Sequence, residues 1–98
     1  MGPGDKEAID EGKSLYSGGD GSSTDQAVVI HTTSTSEGIR AEYAYLTKII
    51  GQQNVDWTMV RQNLVMHNDR QYDILHIRLN SGADRSFCFD ISQFFGKF

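Results

Sequence analysis

A chain of 98 residues with 38% hydrophobic and 22% charged content has the make-up of one soluble domain with a modest core. A formal net charge of −4, with no apolar run near the ~18 residues a spanning helix needs, argues against duplex binding and against a membrane span. Cys88 stands alone, which excludes an internal disulfide and leaves the redox compartment open.

The acid lies at the front. Asp5, Glu7, Asp10, Glu11, Asp20 and Asp25 face only Lys6 and Lys13 among residues 1–25, so the net charge of −4 sits there and residues 26–98 are neutral. Ala8, Ile9, Leu15 and Tyr16 outline a thin amphipathic stripe that Gly12 interrupts, and residues 17–24 (SGGDGSST) read as a loop. The reading is a flexible acidic arm over 1–25 and a single α+β domain over 26–98. The first twelve residues lack the apolar core of a secretory signal, and Lys6 stands where a myristoylation motif requires Ser or Thr. The chain as given therefore reads as cytoplasmic, with an exported mature form left open.

Gln26 to Thr32 has the β-branched content of a short strand. Ser34 and Glu37 then form a capping box, and the spacing predicts a helix through Ile50 that exits at Gly51. Ile39, Tyr43, Leu46 and Ile50 mark its apolar face, flanked by Ala41, Tyr45 and Ile49. From Trp57 to Ile91 the apolar residues alternate in three runs: Val60, Leu64 and Met66; Leu75, Ile77 and Leu79; Phe87, Phe89 and Ile91. Period-two alternation predicts three antiparallel strands with one buried face. Turns fall at Asn68–Arg70 and around Gly82. The expected register pairs His67 with Tyr72, Leu64 with Leu75, Val60 with Leu79, Ile77 with Phe87 and Leu75 with Phe89. The expected architecture is β-α-β-β-β, one main helix on an antiparallel meander. Phe94, Phe95 and Phe98 are expected to close one end of the sheet.

The same register sends Trp57, Met59, Arg61, Val65, Tyr72, Ile74 and Arg78 to the opposite face. Aromatic, Met and Arg side chains together have the make-up of a contact patch. Arg61 opposite Arg78 is a repulsive pair that an acidic group, from a partner or from the arm, would relieve. Asn63, His76 and Cys88 fall side by side on that face, the residue types of a thiol hydrolase. A flat sheet surface offers no oxyanion donors, because the ladder uses the backbone amides. Two ligands do not make a zinc centre, and His67 lies about 13 Å from His76. The Gly18–Ser23 loop has no lysine to serve as a phosphate loop. Asp73 and Asp90 fall on opposite faces, against joint acid–base work.

The segments SGGDGSS, EGIRAEYAYL, YDILHIRL and FDISQFFGKF, taken in order, resemble a family of small uncharacterised bacterial proteins. That likeness implies a bacterial source and an export or lipoprotein context in some members, with no activity or site. More loosely, the element order is similar to the cystatin and PepSY architecture. The inhibitory Gln-x-Val-x-Gly pattern of cystatins is not met by Gln62–Met66. The functional expectation is a non-enzymatic module that binds a protein partner or a second copy through the outer sheet face, without cofactor, metal or nucleic acid. The alternatives are a thiol hydrolase using Cys88, His76 and Asn63, or a structural accessory domain.

Overall fold

A computed structural model describes residues 15–96, and expectations placed on residues 1–14 and on Phe98 lie outside them. The chain runs β1 (Tyr16–Gly18), β2 (Val28–Ile30), α1 (Thr35–Ile50), β3 (Trp57–His67), β4 (Arg70–Leu79) and β5 (Asp84–Asp90). The strands form one sheet in the order β1-β2-β5-β4-β3, antiparallel except where β2 lies parallel to β5. Among the described residues this is an α+β fold, with α1 packed on a five-stranded mixed sheet. Two features extend the expected architecture. The short strand near Val28 joins the far side of β5, and Tyr16–Gly18, read above as part of the arm, adds an edge strand beside it. The ordered domain therefore begins before residue 25.

The helix starts and stops where its signals place it. The Ser34 hydroxyl accepts from the Glu37 amide at 3.4 Å, and Gly51 takes a φ of 106° that L side chains rarely adopt. The capping box is only half made. The Glu37 carboxylate accepts from the Thr32 hydroxyl instead of reaching back to Ser34. Leu46 is fully buried, Tyr43 and Ile50 are half-buried, and Ile39, expected in the core, is exposed. The buried side runs instead through Gly38, Ala41, Glu42 and Leu46. Gly38 explains the rotation. The Phe94 ring lies where a Cβ at Gly38 would stand, 2.5 Å away, so the helix backbone itself packs on that ring.

Turn chemistry moves both hairpin registers by two residues from expectation. Asn68 and Asp69 both adopt left-handed backbone (φ 52° and 64°), closing a two-residue turn with His67 opposite Arg70. Such turns need φ > 0 at both positions, which Asn and Asp tolerate best after Gly. In the second hairpin the Leu79 amide donates to Ala83, leaving a tight loop with Gly82 at φ 96°. Leu64 thus faces Asp73 instead of Leu75, and Leu75 faces Phe87 instead of Phe89. A shift of two preserves the faces, so Leu75, Ile77, Phe87, Phe89 and Ile91 are buried as expected.

The larger departure is a bulge between Met59 and Arg61. One extra residue reverses the alternation of the strand on either side. Trp57 and Met59, expected on the outer face, turn to the core. Trp57 is 1% exposed, and its indole donates to the Gly51 carbonyl at 2.7 Å. Val60, expected in the core, is exposed. The core comprises Val28, Ile30, Leu46, Trp57, Leu75, Ile77, Phe87, Phe89, Ile91 and Phe94, with Ala41. Tyr45 packs edge-on against Phe89 and also against Tyr16, whose hydroxyl donates to the Ala41 carbonyl. The helix thus lies over the middle strands, and the distal half of β3 leaves Leu64 and Met66, both expected on the buried face, uncovered.

Candidate functional site

Because α1 does not reach the distal half of β3, a groove of about 480 Å³ opens between the helix, that half-strand and the turn after Ile91. Its walls are apolar: Ile39 from α1, Leu64 from β3, and Ile91, Phe94 and Phe95 from the C-terminal turn. Its floor is polar and comes from three elements, Glu42 of α1, Gln62 of β3 and Asp73 of β4. The volume lies within the ~300–1,000 Å³ common for small-molecule sites, and apolar walls around a few convergent polar groups are their usual make-up.

Each floor residue stands where its element's periodicity calls for an apolar side chain. Glu42 lies between Gly38 and Leu46 on the buried stripe of the helix. Asp73 is in phase with Leu75 and Ile77 on β4, and Gln62 is in phase with Leu64 on β3. Glu42 is 1% exposed and Asp73 4% exposed. The Gln62 amide donates to both carboxylate oxygens of Asp73, at 2.9 and 2.8 Å. Glu42 Oε2 is the one buried side-chain oxygen or nitrogen among the described residues that no N–H or O–H donor reaches. Its polar neighbour is Asp73, and two carboxyl groups bond only by sharing a proton. Burial, then the hydrogen bond to Asp73, then the Asp73 charge push the Glu42 carboxyl up to about 10. At neutral pH the pair therefore holds one proton and one negative charge. Tyr43, next to Glu42 on α1, is also raised, by burial and then by the charges of Glu42 and Asp73.

This floor is absent from the sites expected from the sequence. The sequence sets Asp73 only against Asp90, and the two do lie on opposite faces: Asp73 opposite Phe89, Asp90 opposite Tyr72. The signal that would have found the site is three phase violations, one carboxylate or amide on the buried face of each of three elements.

The outer face is altered as a contact surface. It keeps Arg61, Val65, Tyr72, Ile74 and Arg78 and loses Trp57 and Met59 to the core. Arg61 lies opposite His76, and Arg78 opposite Thr58, so the expected arginine pair is not formed. Arg78 instead makes an ion pair with Asp84 at 2.7 Å. Tyr72 is buried in a small second cluster with Ala27 and Cys88, flanked by Val65 and Ile74.

The two-residue shifts also separate the thiol constellation. Cys88 faces Ile74, whereas His76 bonds to Ser86 at 2.7 Å and to Asn63 at 3.4 Å. Burial first, then the charges of Asp90 and Asp73, push the Cys88 thiol up to about 11, away from the nucleophilic thiolate. In the Gly18–Ser23 loop, the Gly19 amide donates to Ala27, Gly21 to Gln26 and Ser22 to Asp20, so those amides are spent within the loop.

Comparison with protein-family models, with curated proteins and with solved structures finds no match for this chain. The functional reading therefore rests on the geometry of the groove. No group of three or more His, Cys, Asp or Glu side chains with metal-binding geometry occurs among the described residues. No helix among them is long and apolar enough to cross a membrane.

Proposed function

We propose that this domain is a non-enzymatic binding module whose ligand sits in the groove between α1, the distal half of β3 and the C-terminal turn. The observation that carries this reading is Glu42. A buried carboxyl oxygen without a donor costs roughly 1–3 kcal/mol. An apolar residue of the same size would avoid that cost. Here the strained floor lies beneath an open, apolar-walled groove, where a ligand's donor can take the place of the proton that Glu42 shares with Asp73. The outer sheet face is a poorer candidate, since its largest expected anchor, Trp57, packs in the core.

Backbone amide shifts recorded while the protein is titrated with small apolar amines, alcohols and acids test the site. Perturbations should gather at Ile39, Leu64, Ile91 and Phe95 and vanish in Ile39→Trp, which fills the groove from an exposed position. Perturbations gathered at Arg61, Val65 and Ile74 would overturn the groove and return the site to the outer face.

A further inference from the structure

We propose that the groove takes a cationic nitrogen head, an ammonium or guanidinium, carried on an apolar body. The proposal rests on the groove being the binding site and names its ligand class.

Acceptors outnumber donors on the floor. The floor presents two oxygens from Glu42, two from Asp73 and one amide oxygen from Gln62. Against these five acceptors stand the Gln62 amide group and the single proton held by the carboxyl pair. The amide group is aimed at both Asp73 oxygens. On the wall, the Thr35 hydroxyl donates to the Phe94 carbonyl at 3.1 Å. Among the described residues, no Lys, Arg or His lines the groove. A carboxylate or phosphate head would meet oxygen lone pairs and the negative charge of Asp73. An alcohol would satisfy one acceptor and leave the charge unpaired. A cationic nitrogen brings several N–H donors and a positive charge to the same point, and charge-assisted bonds of that kind are about twice as strong as neutral ones. The apolar walls of Ile39, Leu64, Ile91 and Phe95 then take the body of the ligand out of water.

The cation competes with a proton. Glu42 is protonated because burial and Asp73 penalise a second negative charge, and a bound cation removes that penalty. Binding then expels the proton, and affinity rises with pH while Glu42 remains protonated in the free protein. The titratable groups facing Glu42 are Asp73 from β4 and Tyr43 from α1; β3 contributes the uncharged Gln62, and the C-terminal turn contributes Phe94 and Phe95.

The test titrates the full chain with hexylamine, hexylguanidinium, hexanol and hexanoate. Binding is followed by calorimetry in two buffers of different ionisation enthalpy and by amide shifts. The amine and the guanidinium should bind with shifts at Ile39, Leu64 and Phe95 and release about one proton per ligand, with affinity rising about tenfold per pH unit around neutrality. Asp73→Asn should weaken amine binding about thirty-fold or more. Glu42→Gln, which mimics the protonated carboxyl in shape, should remove the proton release and the pH dependence while its amide spectrum stays that of the folded protein. Hexanol or hexanoate binding the groove as tightly as the amine would overturn the cation class and leave the groove standing. Failure of all four compounds to perturb the groove residues would overturn both readings.

Discussion

At the residue scale the decisive side chain is Glu42. Its folded-state pKa of about 10 lies well above the ordinary 4.5, so the folded protein holds a proton that the unfolded chain has already lost at neutral pH. The sign follows. Stability is fully present below the unfolded value and declines as pH rises toward the folded one. Each pH unit in that window is worth ~1.4 kcal/mol, so at pH 7 the protonated glutamate costs on the order of 3 kcal/mol of stability. Glu42→Gln should flatten the decline and raise the urea midpoint at pH 8 more than at pH 5. Equal midpoint changes at both pH values would show that Glu42 is ionised in the folded protein. Asp90 behaves oppositely. Burial raises it, but Arg70 at 2.6 Å and the Ser92 hydrogen bonds outweigh burial, so it is held below the usual carboxylate range. Its contribution is present above the unfolded value and is lost as pH falls through the folded one.

At the scale of elements the bulge in β3 decides which residues reach the core. Trp57 and Val60 show it most directly. Trp57→Ala should cost about 3–5 kcal/mol, since it empties a core position and removes the indole bond to the Gly51 carbonyl at the helix exit. Val60→Thr should stay within about 0.5 kcal/mol, because Val60 is 47% exposed. Denaturant midpoints of the two variants separate the bulged strand from a regular one, in which the larger loss would fall on Val60. The helix shows how one residue redirects an amphipathic stripe. Its cap, its length and its Gly51 exit follow from local chemistry and match the reading of the chain. Its rotation does not, because Phe94, far along the sequence, packs on Gly38 and draws the small-residue side inward.

For the whole molecule the governing fact is where the helix sits on a sheet of five strands. Leu75 and Leu64 are the same residue type on the same sheet face, yet one lies under the helix and the other beyond it. Leu75 is 0% exposed and Leu64 51% exposed. Leu75→Ala should cost about 2–5 kcal/mol, and Leu64→Ala about 1 kcal/mol or less. Thermal or urea unfolding of both variants measures the difference, and comparable losses would place the helix over β3. The same geometry that leaves Leu64 uncovered creates the groove, so Leu64→Ala should change ligand affinity with little effect on stability.

Features that rest on short-range physics are legible in the chain alone. Alternation marked three strands and the faces of β4 and β5, the Ser34 cap and Gly51 bounded the helix, and the α+β class followed. Cores built on Leu75, Ile77, Phe87 and Phe89 were legible because a two-residue shift in register leaves the pleat in phase. The features that emerge only on folding depend on one added residue or on distant partners. The bulge at Val60 carries no compositional mark, yet it exchanges Trp57 and Val60 between faces. The parallel pairing of β2 with β5 and the addition of β1 widen the sheet, which sets the helix away from distal β3. The carboxyl pair of the candidate site arises there as well, because Glu42 and Asp73 are thirty-one positions apart in sequence. Each looks like an ordinary surface acid until helix and sheet close over both.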